Sequence, residues 1–407
     1  MKLISIDKDV NQYRQYLLVY ERKSGEQTFV HFTTPLDIPD PIDNDFAFIY
    51  GAIAAFILGE DYEQTIPASK EIQENFDAVK KIWLGWHSYR KNISINVPTL
   101  IRKSQQDSRQ DLLRGSFFSG GIDSLFTTAT LKEDVTALIS IAHTPNDIGI
   151  IASEFDRLRE MSGYANATDR KHLFVASDFM TAFPEVNDFW AYLAHGAALS
   201  AIAHRLNAVL NSAVISSTFT YDQLIPWGSH PETDELLSSK SIHISHFGAN
   251  SNRVQKTFAI CEDETALGVV SVCGAGRLDG EHVNCSKCQK CLRTMVTIDL
   301  AGVDKSRAST FDWTIYNPAN LKDILLRSES EFIFMQEIQD IANDRGREDI
   351  SKPIDQMIAK SRKFLILTKI EMYLRQRVKF ITRFKRPLLK FRAAIYRLLG
   401  LKRKLDA

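Results

Sequence analysis

Two groups of residues in this chain have types and spacing that can do chemistry. The first is Phe117-Phe118-Ser119-Gly120-Gly121-Ile122-Asp123-Ser124, an apolar run that enters two glycines and then a helical start. Glycine permits positive φ and lets backbone approach a ligand closely. A helix start presents unpaired N–H groups and positive potential, which suit an anion such as phosphate. Ser119 and Ser124 add hydroxyls, and Asp123 is expected on a solvent-facing turn. The string is neither G-x-x-x-x-G-K-[ST] nor G-x-G-x-x-G, and no lysine adjoins it. That suits a loop gripping a pyrophosphate about to leave, rather than one transferring a terminal phosphate.

The second group is Cys285, Cys288 and Cys291, a C-x2-C-x2-C run, with Cys273 twelve residues before it. Thiolates separated by two residues reach one tetrahedral ion because a short turn brings both sulfurs together. Of the five cysteines, Cys261 falls in an expected helix, 254–266, and reads as core, which leaves Cys273 as the fourth ligand. An iron–sulfur cluster competes with zinc for such thiolates. The bacterial ferredoxin run continues with x3-C-P, whereas Leu292-Arg293-Thr294-Met295 follows here. A closed four-cysteine zinc site with a structural role is expected.

The elements that must position these groups alternate. β-like runs at 116–119, 136–142, 173–176 and 213–217 are separated by helical periods at 124–131, 150–161 and 188–206. Strand–helix alternation with short connections implies right-handed βαβ units, hence an α/β fold whose parallel, doubly wound sheet is covered on both faces. Ligands of such sheets bind beyond the carboxyl ends of the strands. Arg253 and Lys256 begin a helix after Gly248-Ala249-Asn250-Ser251-Asn252; they can hold a polyphosphate or pair with acidic residues of the chain. In the loop 226–234, His230 and Asp234 are candidates for contact with an acceptor substrate, with a plain loop role as the alternative; His143, just past the second run, is a candidate to border a nucleoside pocket, with a plain loop histidine as the alternative. No Ser-His-Asp triad is evident. The expected domains are an N-terminal α+β extension (1–110), a nucleotide-binding domain with the cysteine site (111–304), and a helical C-terminal region (305–407). The extension should contain a hairpin about Ser24-Gly25-Glu26 and two helices, 45–58 and 68–86.

The S-G-G-x-D-S string resembles the signature of the PP-loop ATP pyrophosphatase superfamily, which includes asparagine synthetase, GMP synthetase, NAD synthetase, tRNA-thiolating enzymes and 7-cyano-7-deazaguanine synthase. The resemblance spans roughly residues 113–300. It implies an adenine nucleotide alpha hydrolase-like core in which Ser119, Gly120, Gly121, Asp123 and Ser124 bind the β,γ-phosphates of ATP with Mg²⁺. The reaction implied is adenylation of a substrate oxygen with loss of pyrophosphate. Arg253 and Lys256 join the candidate nucleotide contacts, and Asp123, Ser124 and Lys256 are the candidate catalytic residues. With Cys273, Cys285, Cys288 and Cys291, the chain is similar in particular to 7-cyano-7-deazaguanine synthase, which belongs to queuosine biosynthesis. That family converts a carboxylate to a nitrile with ATP and ammonia and closes its fold with zinc. This chain is longer, its Cys273–Cys285 gap is wider, and its first hundred residues and basic tail have no counterpart there. It looks more like divergent synthase-like proteins encoded beside biosynthetic or defence genes.

Composition sets the outer bounds. The 407 residues are 44% hydrophobic and 25% charged, values of a globular protein, which excludes disorder and a disulfide scaffold. The longest apolar stretch, 46–59, is too short to span a bilayer, no secretory signal is visible, and a cytoplasmic protein with reduced cysteines is expected. Fifty basic and fifty acidic side chains conceal a split: residues 360–407 hold sixteen Lys and Arg against Glu371 and Asp406. The body is therefore acidic and the tail, 360–404, basic; RNA, an anionic membrane surface and an acidic protein are the partners such a tail suits. The leading expectation is an ATP-dependent, AMP-forming enzyme that activates a small-molecule carboxylate or carbonyl for attack by nitrogen. The alternatives are a tRNA-modifying, thiolase-like adenylating enzyme and a non-catalytic nucleotide-binding component of a multi-protein assembly.

Overall fold

A computed structural model describes residues 1–100, 111–274 and 282–362. The basic-tail expectations lie outside the described residues, apart from Lys360, Ser361 and Arg362. The chain is α/β, with a large, mostly parallel sheet and fourteen α-helices among the described residues. Its strands are β1 (Lys2–Val10), β2 (Arg14–Glu21), β3 (Gln27–Thr34), β4 (Tyr62–Gln64), β5 (Ala68–Ser69), β6 (Ile95–Asn96), β7 (Thr99–Leu100), β8 (Leu113–Phe117), β9 (Ala137–His143), β10 (Lys171–Ser177), β11 (Leu210–Ser216) and β12 (His243–Phe247).

Ten strands form one sheet in the order β12-β11-β8-β9-β10-β3-β2-β1-β4-β6, and β5 pairs with β7. From β12 to β10 every neighbour is parallel; β10-β3, β3-β2 and β2-β1 are antiparallel. The chain enters the parallel half at its middle strand, β8, steps outward to β9 and β10, then returns past β8 to lay down β11 and β12. The order therefore reverses beside β8, an arrangement consistent with a doubly wound core.

Side-chain alternation shows why both faces are covered. Leu173 and Val175 of β10 join one apolar cluster with helix α1 (Asp45–Leu58) and helix His195–Arg205. Phe174 and Ala176 turn to the opposite face, against Ile151, Phe155 and Leu158 of helix Ile148–Arg159. Parallel strands buried on both faces read as near-continuous apolar runs, as Ala137–His143 does. Helix α1 is apolar all round, and all fourteen of its residues are buried. A Cβ on its Gly51 would lie 2.1 Å from the Tyr62 hydroxyl oxygen, so only glycine fits there. The next helix, α2 (Lys70–Trp86), starts where Ser69 Oγ accepts from Ile72 N.

The compact units divide the chain differently from the boundaries expected near 110 and 304. One contains 1–272 and 301–310; the other contains 273–300 and 311–407. The N-terminal hairpin shares a sheet with the parallel strands and so belongs to the same unit. The four site cysteines fall in the second, which is helical among its described residues: Gln289–Ala301, Glu329–Asp344 and Glu348–Arg362.

Candidate active site and metal centre

The glycine loop leaves the carboxyl end of β8, next to the order reversal where open α/β sheets place their ligands. Phe118 N donates to Ile139 O (2.8 Å), and Ser271 N donates to Gly120 O (2.7 Å), so the loop is held from two sides. Gly120 adopts φ +71°, the left-handed region in which an L side chain is strained. Gly121 has an ordinary φ of −77° and is the N-cap of α3 (Ile122–Thr130), with no side-chain cap. The first N–H groups of α3 are thus left for another acceptor.

Each loop residue takes a distinct place. Ser119 is exposed, and its Oγ accepts from Gly121 N at 3.4 Å. Ser124 is buried; its hydroxyl donates to Gly121 O (3.0 Å), so it works inside the loop. Asp123 departs from the solvent-facing position expected of it. Arg253 Nη2 donates to its Oδ2 at 2.5 Å, and Lys256 Nζ lies 3.4 Å from its Oδ1. Lys256 is 1% exposed and also donates to Ser217 O (2.6 Å), just beyond β11. Both cations stand on helix Arg253–Glu262, whose start is fixed by a capping box between Asn252 and Gln255. The expected phosphate contacts are therefore together: a bare helix start, an adjacent carboxylate, and two cations whose charge Asp123 partly balances.

The secondary candidates fare differently. Asp234 is fully buried and accepts from Ser229 Oγ (2.6 Å) and His230 N (3.2 Å), while His246 Nδ1 lies 2.8 Å from its Oδ2. His230 is 6% exposed and stacks edge-on against Trp86. Both residues hold their loop in place and offer no open face to an acceptor. His143 ends β9 with its ring 5.2 Å from that of Trp190. The sequence reading missed a cleft of about 360 Å³ lined by Thr220–Gln223, Ala249, Asn250, Asn252 and Gln255, beyond β11 and β12. Its one advance signal was the Gly248–Asn252 loop; β12 itself went unread because His243, Ser245 and His246 interrupt its apolar residues.

In the second unit, the four cysteine sulfurs lie within 4.8 Å of one another. Cys288 Sγ is 3.4 Å from Cys291 Sγ and 3.9 Å from Cys273 Sγ, and Cys285 Sγ is 3.8 Å from Cys291 Sγ. A tetrahedral ion about 2.3 Å from each sulfur would set neighbours about 3.8 Å apart. The cluster could therefore hold a single metal ion such as zinc. An iron–sulfur cube attaches each thiolate to a different iron and spreads the sulfurs further. The turn is built for thiolates: the N–H groups of Lys287 and Cys288 point at Cys285 sulfur, and that of Cys291 at Cys288. Ser286 takes φ +55° within it, and its Oγ accepts from Asp312 N (2.8 Å). Hydrogen bonding with Cys291 holds the Cys288 thiol down, while Cys291 is pushed up. Cys261 stands apart at 2% exposure, and burial raises its thiol to about 11.

No family model, curated protein or solved structure matches the chain.

Proposed function

We propose that this protein is an AMP-forming enzyme of the PP-loop ATP pyrophosphatase kind, with a doubly wound, adenine nucleotide alpha hydrolase-like core. The observation that carries the reading is the uncapped start of α3 at the order reversal, with Arg253 and Lys256 gathered on Asp123. The β,γ-phosphates of ATP would accept from the N–H groups of Ile122, Asp123 and Ser124, and the two cations would offset the charge that builds on pyrophosphate as it leaves. A carboxylate or carbonyl oxygen of a small-molecule acceptor attacks the α-phosphorus, the α–β bridge bond breaks, and pyrophosphate takes the bonding pair. A nitrogen nucleophile then attacks the adenylated carbon and expels AMP. Asp123 is the one carboxylate in the loop and is engaged by both cations, so it positions them and is not the base. Mg²⁺ belongs with the nucleotide substrate, whose charge it offsets. The four cysteines hold zinc in a structural role.

The test is product analysis with ATP, Mg²⁺, ammonia and a panel of carboxylates. AMP and pyrophosphate should appear in equal amounts, and Lys256→Met should lower turnover by about 10²-fold or more. Release of ADP and inorganic phosphate would remove the reading.

A further inference from the structure

The cleft beyond β11 and β12 has two walls of different chemistry. One follows β11 and carries Thr220, Asp222 and Gln223; the other follows β12 and carries Asn250, Asn252 and Gln255. Tyr221 N donates to Ala249 O (2.9 Å) and ties the walls together. The space between them, about 360 Å³, is room for a small molecule.

The capping box at the start of helix Arg253–Glu262 decides which ends of two carboxamides remain to be used. Asn252 Oδ1 accepts from Gln255 N (2.9 Å), and Gln255 Oε1 accepts from Asn252 N (2.8 Å). With both carbonyl oxygens turned to backbone, each side chain has its NH2 group left, a group that only donates. The pair stands at the positive end of a helix, so this wall suits a carboxylate or carbonyl oxygen. On the other wall, Thr220 is 9% exposed, and its buried Oγ1 has no hydrogen-bond partner, a deficit that a bound polar group would make good. Asp222 is exposed, forms no ion pair among the described residues, and is the one charged side chain lining the cleft. Its carboxylate repels phosphates and suits a protonated amine.

The neighbouring cations serve a different face. Asn252 and Gln255 lie three apart on one side of the helix start. Arg253 and Lys256 lie about 100° further round and reach Asp123. The cleft therefore adjoins the candidate phosphate site without sharing its positive charge.

We propose that this cleft binds a small amino-carboxylate, its carboxylate held by Asn252 Nδ2, Gln255 Nε2 and the Thr220 hydroxyl, and its ammonium by Asp222. The ligand's role as the acceptor rests on the AMP-forming reading; its binding does not.

The full chain is titrated calorimetrically, without ATP, with the common amino acids, β-alanine and ornithine. At least one should bind saturably, and the deaminated acids of the same skeletons should bind about tenfold more weakly or worse. Asp222→Asn should remove that preference for the amine. Gln255→Glu keeps the capping box, because its carboxylate oxygen accepts from Asn252 N as the carboxamide oxygen does, but it puts oxygen where the NH2 group was. It should abolish binding without lowering Tm. Binding that neither variant alters, equal binding of the deaminated acids, or no binding by any of these compounds overturns the assignment. Because ATP is left out, ADP release in the product assay removes the AMP-forming reading alone. AMP formation by a chain that binds none of these compounds removes the cleft assignment alone.

Discussion

The two glycines of the loop are adjacent yet needed for different reasons. At Gly120 the backbone itself requires glycine: φ is +71°, and a Cβ would sit 3.1 Å from Ser271 Cβ and 3.4 Å from Met161 Sδ. At Gly121 the dihedral is ordinary, and the nearest atom to a Cβ would be Ser119 Oγ at 3.3 Å. Gly120→Ala should therefore cost about 1–2 kcal/mol of folding stability. Gly121→Ala should cost less than about 0.5 kcal/mol, while ATP binding weakens because the added methyl stands where phosphate approaches. Denaturant titration beside calorimetric ATP binding separates the two. Equal stability losses with unchanged ATP affinity would contradict the ligand role given to Gly121.

At the scale of elements, the C-x2-C-x2-C turn feeds the helix Gln289–Ala301, and under the proposed structural role both would depend on an ion that the four thiolates could hold. Cys288→Ser removes the sulfur that touches both Cys273 and Cys291. It should release one equivalent of metal and destabilise the second unit by several kcal/mol, read as metal content and as a separate early unfolding transition. Retention of all metal with unchanged stability would count against a structural role. Much of this was legible in advance, because ligand spacing and helical periodicity are local properties. The helix Asp45–Leu58 was expected at 45–58, and the hairpin followed from Ser24-Gly25-Glu26. What the sequence hid was non-local. Nothing in 27–34 says that β3 will pair with β10, and Asp123 carries no mark of a partnership with residues 130 and 133 positions later. Strand β1 and the π-turn at Trp190–Ala194 also escaped, the first because the charged run Asp7-Lys8-Asp9 breaks its apolar pattern.

For the whole molecule, buried histidines give stability a pH dependence. Burial pushes His87 and His172 down to about 4 from the ordinary 6.5. The unfolded chain therefore binds protons that the folded chain refuses. Stability is intact above pH 6.5 and is lost as pH falls from there toward 4, by about 1.4 kcal/mol per pH unit for each histidine. Burial likewise pushes His143 down to about 4 and lowers His195 and His230. Denaturation at pH 7.5, 6 and 5 should show the summed slope, and His172→Asn should reduce it by one histidine's share; a flat profile would mean that none of these rings is held neutral. The all-round apolar character of α1 has a further consequence, which concerns synthesis. Its cover, the helix ending at Arg205 and the strands from Leu113 onward, is translated later, the last of that helix about 150 residues after Leu58. Residues 16–83 supply part of the cover early, but at typical elongation rates the face under the later helix waits for roughly 10–30 s. A nascent chain of this protein is therefore a natural client for chaperones at the ribosome until its carboxyl-terminal strands arrive.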